Sequence, residues 1–138
     1  MSRTLEQHRA KYALDQIQEV HGFSKNDDKA KYGTLVRKLP VMILNNGLGQ
    51  ALASLLADDE GKRKNPSWHL YQDLQEWLAG SQAPTTHPSR VYTDGASNLI
   101  EQLMSGDRAK YLRAQREALA LLVWMKKFAD AYLPKGGE

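Results

Sequence analysis

Hydrophobic residues recur at intervals of three and four along most of the chain, and nowhere in the strict alternation of a half-buried strand. The least polar stretch, residues 39–57, carries no charge. Within it Val41, Leu44, Leu48, Leu52 and Leu55 recur at three, four, four and three, one continuous helical stripe. The stripe predicts a central, core-facing helix with Leu48 fully buried. Pro40 fits its first position, where a missing N–H costs nothing, and the preceding helix is expected to stop there in a kink.

The same period predicts the other elements. A helix over 4–21 takes Thr4 as N-cap, with Glu6 and Gln7 only near capping-box geometry. Leu5, Tyr12, Ala13, Ile17 and Val20 form its apolar side, and Gly22 ends it. Asn26, Asp27 and Asp28 cap a second helix with Tyr32, Leu35, Val36 and Leu39 inward. Asp58–Asn65 reads as a solvated, charged loop. Asn65 and Pro66 open a helix that buries Tyr71, Leu74 and Leu78, with Trp68 and Trp77 beside them. Gly80–Pro88 reads as a loop. Tyr92, Ala96, Leu99 and Leu103 continue in helical period to Ser105-Gly106. Asp107 caps a last helix to Leu133, striped by Tyr111, Ala118, Leu119, Leu122, Met125, Ala129 and Tyr132 or Leu133. The expected fold class is all-α: a compact single-domain bundle of about five or six helices over residues 1–138, frayed at 1–3 and 134–138.

Composition narrows the function classes. The chain has 138 residues and no cysteine, which excludes disulfides and thiolate metal sites. The start lacks the apolar run of a signal peptide, and residues 39–57 are interrupted by Asn45, Asn46 and Gln50, so a cytoplasmic protein with no membrane span is expected. The four histidines, His8, His21, His69 and His87, stand in four different segments without ligand spacing. No catalytic residue, metal or cofactor is therefore expected. A net charge of +3 permits a nucleic-acid surface without requiring one. Lys31 and Lys38 share a helical face with Arg37 beside them. Arg113, Arg116 and Lys127 share another, and Lys62, Arg63 and Lys64 cluster in the charged loop. These are either solvated faces or phosphate contacts, and phosphate contacts would be weakly sequence-specific. Asn45 and Asn46 are open between ligand contact and backbone capping. Residues 45–49, Asn-Asn-Gly-Leu-Gly, also admit a strand-to-turn phosphate loop, but the Gly-Lys-Ser/Thr of such a loop is missing.

Residues 32–52 resemble the signature of the small helical subunit of the type III-B (Cmr) CRISPR effector complex. The matching run is Tyr-Gly-Thr-Leu-Val-Arg-Lys-Leu-Pro-Val-Met-Ile-Leu-Asn-Asn-Gly-Leu-Gly-Gln-Ala-Leu. The run from Arg116 to Ala131 resembles that family's C-terminal helix, and Leu5, Arg9, Ala10 and Ala13 agree more weakly. Ser54 departs from an aromatic often found there. The resemblance implies a non-enzymatic scaffold in antiviral defence, stacked in several copies against other effector subunits and contacting guide and target RNA. Its backbone contacts would then fall to Lys31, Arg37, Lys38, Arg113, Arg116 and Lys127. The alternatives from other classes are a generic helical adaptor without nucleic acid and a nucleotide-binding protein using Asn46–Gly49.

Overall fold

The computed structural model describes residues 3–80, 91–92 and 98–135. Among these residues six α-helices and no strand are found: α1 (Leu5–His21), α2 (Asn26–Asn46), α3 (Leu48–Asp59), α4 (Pro66–Ala79), α5 (Leu99–Ser105) and α6 (Arg108–Tyr132). The all-α expectation holds. The long α6 packs along α1 on one side and α2 on the other; α4 closes against α2 and α3, and short α5 covers α3 and α4.

The helix starts are chemically explicit. Thr4 accepts from the Gln7 amide while the Gln7 side chain accepts from the Thr4 amide, so Gln7 completes a full capping box, better formed than the spacing alone suggests. Asp107 caps α6 through the Lys110 amide as expected. The α2 start departs from expectation: Lys25 holds the N-cap position without a side-chain bond, and Asn26, Asp27 and Asp28 lie inside the first turn, where the two acids suit the helix dipole. Gly22 ends α1 in a right-handed conformation.

The largest correction concerns residues 39–57. The second helix does not stop at Pro40; it runs through it to Asn46, and the break falls at Gly47. One uninterrupted helical phase from Tyr32 explains what is buried. Tyr32, Val36, Leu39 and Ile43 share one narrow face and are all at most 1% exposed. Val41 lies about half a turn from that face, and Leu44 about a third. Both are therefore exposed, at 58% and 70%. The expected stripe belongs to two helices, and only Leu48, Leu52 and Leu55 of α3 reach the core, Leu48 at 0%. Four buried anchors hold α2 across Pro40, whose missing N–H leaves the Val36 carbonyl without its usual partner.

Gly47 makes the joint possible. Its φ of 89° and ψ of 159° belong to a region glycine alone enters freely, and a β-carbon there would stand 3.1 Å from the Tyr111 hydroxyl. The α3 N-terminus is then closed by α6: the Leu48 amide donates to Gln115 Oε1 at 3.0 Å and the Gly49 amide to the Tyr111 hydroxyl at 2.8 Å.

The charged loop is also more built than expected. Asp59 is 1% exposed, and its carboxylate accepts from the amides of Arg63, Lys64 and Asn65 at 2.6, 3.2 and 3.1 Å. Burial pushes its carboxyl upward, but those amides outweigh it and hold the group below the usual carboxylate range. The turn includes two non-glycine residues in left-handed conformation, Glu60 and Arg63, each at φ 56°. Asp59→Ala is expected to remove the acceptor that offsets this strain and so to destabilise the fold. Urea denaturation would show a lower midpoint at unchanged slope; an unchanged midpoint would mean the loop holds itself.

Tyr92, expected in a helix, is buried outside any helix, its amide donating to the Leu78 carbonyl. Ala96, most of the 80–88 loop, His87 and the final three residues lie outside the described residues. At the end of α6 the inward residue is Leu133, 5% exposed, while Tyr132 is 47% exposed.

Candidate nucleic-acid interface

The six basic residues singled out by helical position divide into two kinds. Lys31 and Arg37 are tied down within the bundle. Lys31 Nζ pairs with Asp58 Oδ2 at 2.9 Å, joining α2 to the end of α3. Arg37 Nε donates to Asp130 Oδ1 at 2.6 Å and its Nη2 to the Ala129 carbonyl at 3.4 Å, joining α2 to α6. These bonds hold the carboxyls of Asp58 and Asp130 below the usual range. Lys38, Arg113, Arg116 and Lys127 are exposed and form no ion pair among the described residues.

Three of these four cations lie on one outer face of α6. Arg113, Arg116 and Lys127 fall within an arc of about 60° on α6, opposite the buried line of Ala118, Leu122 and Met125. The bond from Arg37 to Asp130 and that from Leu48 to Gln115 show that α2 runs antiparallel to α6. Along the axis Lys38 is therefore level with the Lys127 end of α6, and Val41 and Leu44 with its middle; around α2, Lys38 falls beside Lys31, on the side that pairs with Asp58 of α3. Beside the cations α6 also exposes Val123, 54% exposed, toward its middle, and Leu112, 40% exposed, near its start. The outer surface of these two helices is thus basic with apolar islands.

The loop cations are less available. Lys62 pairs with Glu60 at 3.2 Å, Arg63 lies 5.3 Å above the Trp68 ring, and Lys64 is exposed. Asn45 and Asn46 are exposed at the end of α2. The phosphate-loop alternative is overturned: a helix, not a strand, precedes Gly47, and the α3 amides such a loop would offer are taken by Gln115 and Tyr111.

Sequence spacing missed one constellation. His69 and Asp73, one turn apart on α4, meet Glu19 from the end of α1. Burial pushes the Asp73 carboxyl up to about 8, against a hydrogen bond from Tyr32, and burial pushes the His69 imidazole down against the charge of Glu19. The pair His-x-x-x-Asp was visible in the sequence; the third member, 50 residues earlier, was not.

The family model described as CRISPR-associated protein (Cas_Cmr5) matches residues 5–132. The CRISPR system Cmr subunit Cmr5 of Thermus thermophilus is 31% identical over 131 residues, covering 95% of this chain and 97% of that one. A crystal structure of a CRISPR-associated Cmr5 family protein from the same organism superposes with a TM-score of 0.72 at 30% identity, covering 96% of this chain and all of that one.

Proposed function

The chain belongs to the Cmr5 family of CRISPR-associated proteins, and from that premise we propose that it is a non-catalytic small subunit of a Cmr effector, stacked in several copies and touching the guide–target RNA duplex through phosphates. The observation that carries the RNA part is the separation of its cations. Lys31 and Arg37 form ion pairs between helices, whereas Lys38 on α2 and Arg113, Arg116 and Lys127 on one face of α6 are exposed and form no ion pair among the described residues. Side chains committed to internal ion pairs give little to a ligand; free ones can displace counterions from phosphate. The apolar islands at Val41, Leu44 and Val123 support the stacking part, because exposed aliphatic residues grouped on one surface mark protein contacts. Reaction chemistry on RNA falls to other subunits in this reading.

Each exposed phosphate contact is individually weak and screened by salt. A single copy is expected to bind RNA poorly, and stacked copies to bind it together along one strand. In an assembled effector, Arg113→Ala with Arg116→Ala should weaken target RNA binding and lower the slope of log affinity against log salt by about one per charge, leaving sequence preference unchanged. Lys38→Ala with Lys127→Ala should do the same. Arg37→Ala should instead destabilise the subunit while leaving that slope intact. If both pairs leave affinity and slope unchanged in an intact assembly, these are solvated faces and the protein is a helical adaptor. If assembly itself fails, the same side chains serve subunit contacts.

A further inference from the structure

The end of α1 approaches α4 at three side chains of metal-binding type. Donor atoms of Glu19, His69 and Asp73 all lie within 4.8 Å of one another. His69 Nε2 stands 3.5 Å from Glu19 Oε1 and 3.6 Å from Asp73 Oδ2. That nitrogen is itself buried and forms no hydrogen bond of regular geometry, standing at long range from both carboxylates. Its surroundings are ordered. The Tyr32 hydroxyl donates to Asp73 Oδ2, and the rings of Phe23 and Tyr32 stand edge-on to the His69 ring at 5.2 and 5.6 Å.

We propose that Glu19, His69 and Asp73 form a binding site for a divalent first-row transition-metal ion, with Zn²⁺ as the reference occupant, which clamps the end of α1 onto α4.

Ligand bonds near 2.0–2.1 Å in a tetrahedral Zn²⁺ site put neighbouring donor atoms about 3.3 Å apart. The separations of 3.5 and 3.6 Å around His69 therefore need adjustments of a few tenths of an ångström. The Glu19 side chain, 62% exposed, is free to move inward, while Asp73, 8% exposed, is fixed by Tyr32. The bond from Tyr32 falls on Oδ2, the oxygen that also faces His69, and a hydrogen bond to a ligating carboxylate is a regular feature of metal sites that fixes its orientation. One imidazole with two carboxylates suits Zn²⁺, Co²⁺ or Ni²⁺ better than the all-oxygen preference of Ca²⁺ or Mg²⁺. Three protein ligands leave the remaining position to water, so this is an open site.

The test is titration of tag-free, chelator-treated protein with Co²⁺, followed by visible absorption, then by competition with Zn²⁺ and thermal melting. One equivalent of Co²⁺ should produce ligand-field bands that Zn²⁺ abolishes, and Zn²⁺ should raise the melting temperature. Glu19→Gln keeps the shape of an exposed side chain and should weaken binding at least tenfold; His69→Gln should remove the bands. If His69→Gln does not fold, Glu19→Gln alone decides. Absence of saturable binding in the wild type, or equal binding in the variants, would overturn the assignment and leave a cluster that only shares protons.

Discussion

Leu48→Asp is expected to abolish the native fold. Leu48 is completely buried and opens α3, where its amide donates to Gln115. Two effects oppose each other there. A carboxylate in the first turn of a helix gains about 0.3–1 kcal/mol from the dipole. An unpaired carboxylate taken out of water loses several kcal/mol, even if it escapes by binding a proton. The second effect wins and approaches the whole stability of a domain of this size, about 5–15 kcal/mol. Leu48→Ala separates lost volume from added charge and should cost about 2–5 kcal/mol, leaving a folded protein with a lower melting temperature. Circular dichroism checks both; a Leu48→Asp variant that melted like the wild type would remove Leu48 from the core.

A comparable loss is expected from Glu117→Ala. Glu117 is buried on α6 and accepts from Arg9 Nε at 2.8 Å, Arg9 Nη2 at 2.7 Å and Trp77 Nε1 at 2.9 Å. Donating to the Glu117 carboxylate raises the pKa of the Arg9 guanidinium above its ordinary range. Truncation strands a buried indole N–H and leaves a guanidinium that is only 16% exposed with exposed Glu6 as its remaining carboxylate, which places the loss toward the lower end of broken buried ion pairs, about 3 kcal/mol. The pair need not contribute that much net stability, because its desolvation offsets much of its attraction. The double variant Arg9→Met, Glu117→Leu should therefore be more stable than Glu117→Ala alone. Urea midpoints for the two test this, and a double variant at or below the single one would contradict it.

These two sites differ in how far the sequence discloses them. Leu48 is legible because α3 keeps its own helical phase. Val41 and Leu44 fit the same apparent stripe, yet they belong to the phase set upstream by Tyr32 and Val36. Proline signals a stop more strongly than Gly47 does in local propensity, but tertiary burial of Leu39 and Ile43 holds the helix through Pro40. Glu117 reads as a surface charge inside a Leu/Ala-rich run; its burial depends on Arg9, 108 residues away. Asp59 is similar, since its acceptors are filled by a turn whose shape it helps create. Helical spacing placed the six cations on faces. It could not show that Lys31 and Arg37 would pair with Asp58 and Asp130, because both pairs form between different helices. The resemblance in residues 32–52 named the family that the comparisons establish.

The pairing of α1 with α6 also bears on how the chain is made. Ala13 and Ile17 are fully buried, and the helix that covers α1 most extensively is the last of the six to be synthesised. Until residues 108–132 have left the ribosomal tunnel, the apolar side of α1 lacks that cover and Arg9 lacks its buried carboxylate. At about 5–20 residues per second, translation sets an interval of seconds in which the nascent chain exposes hydrophobic surface. The bundle therefore closes late, only once α6 has emerged.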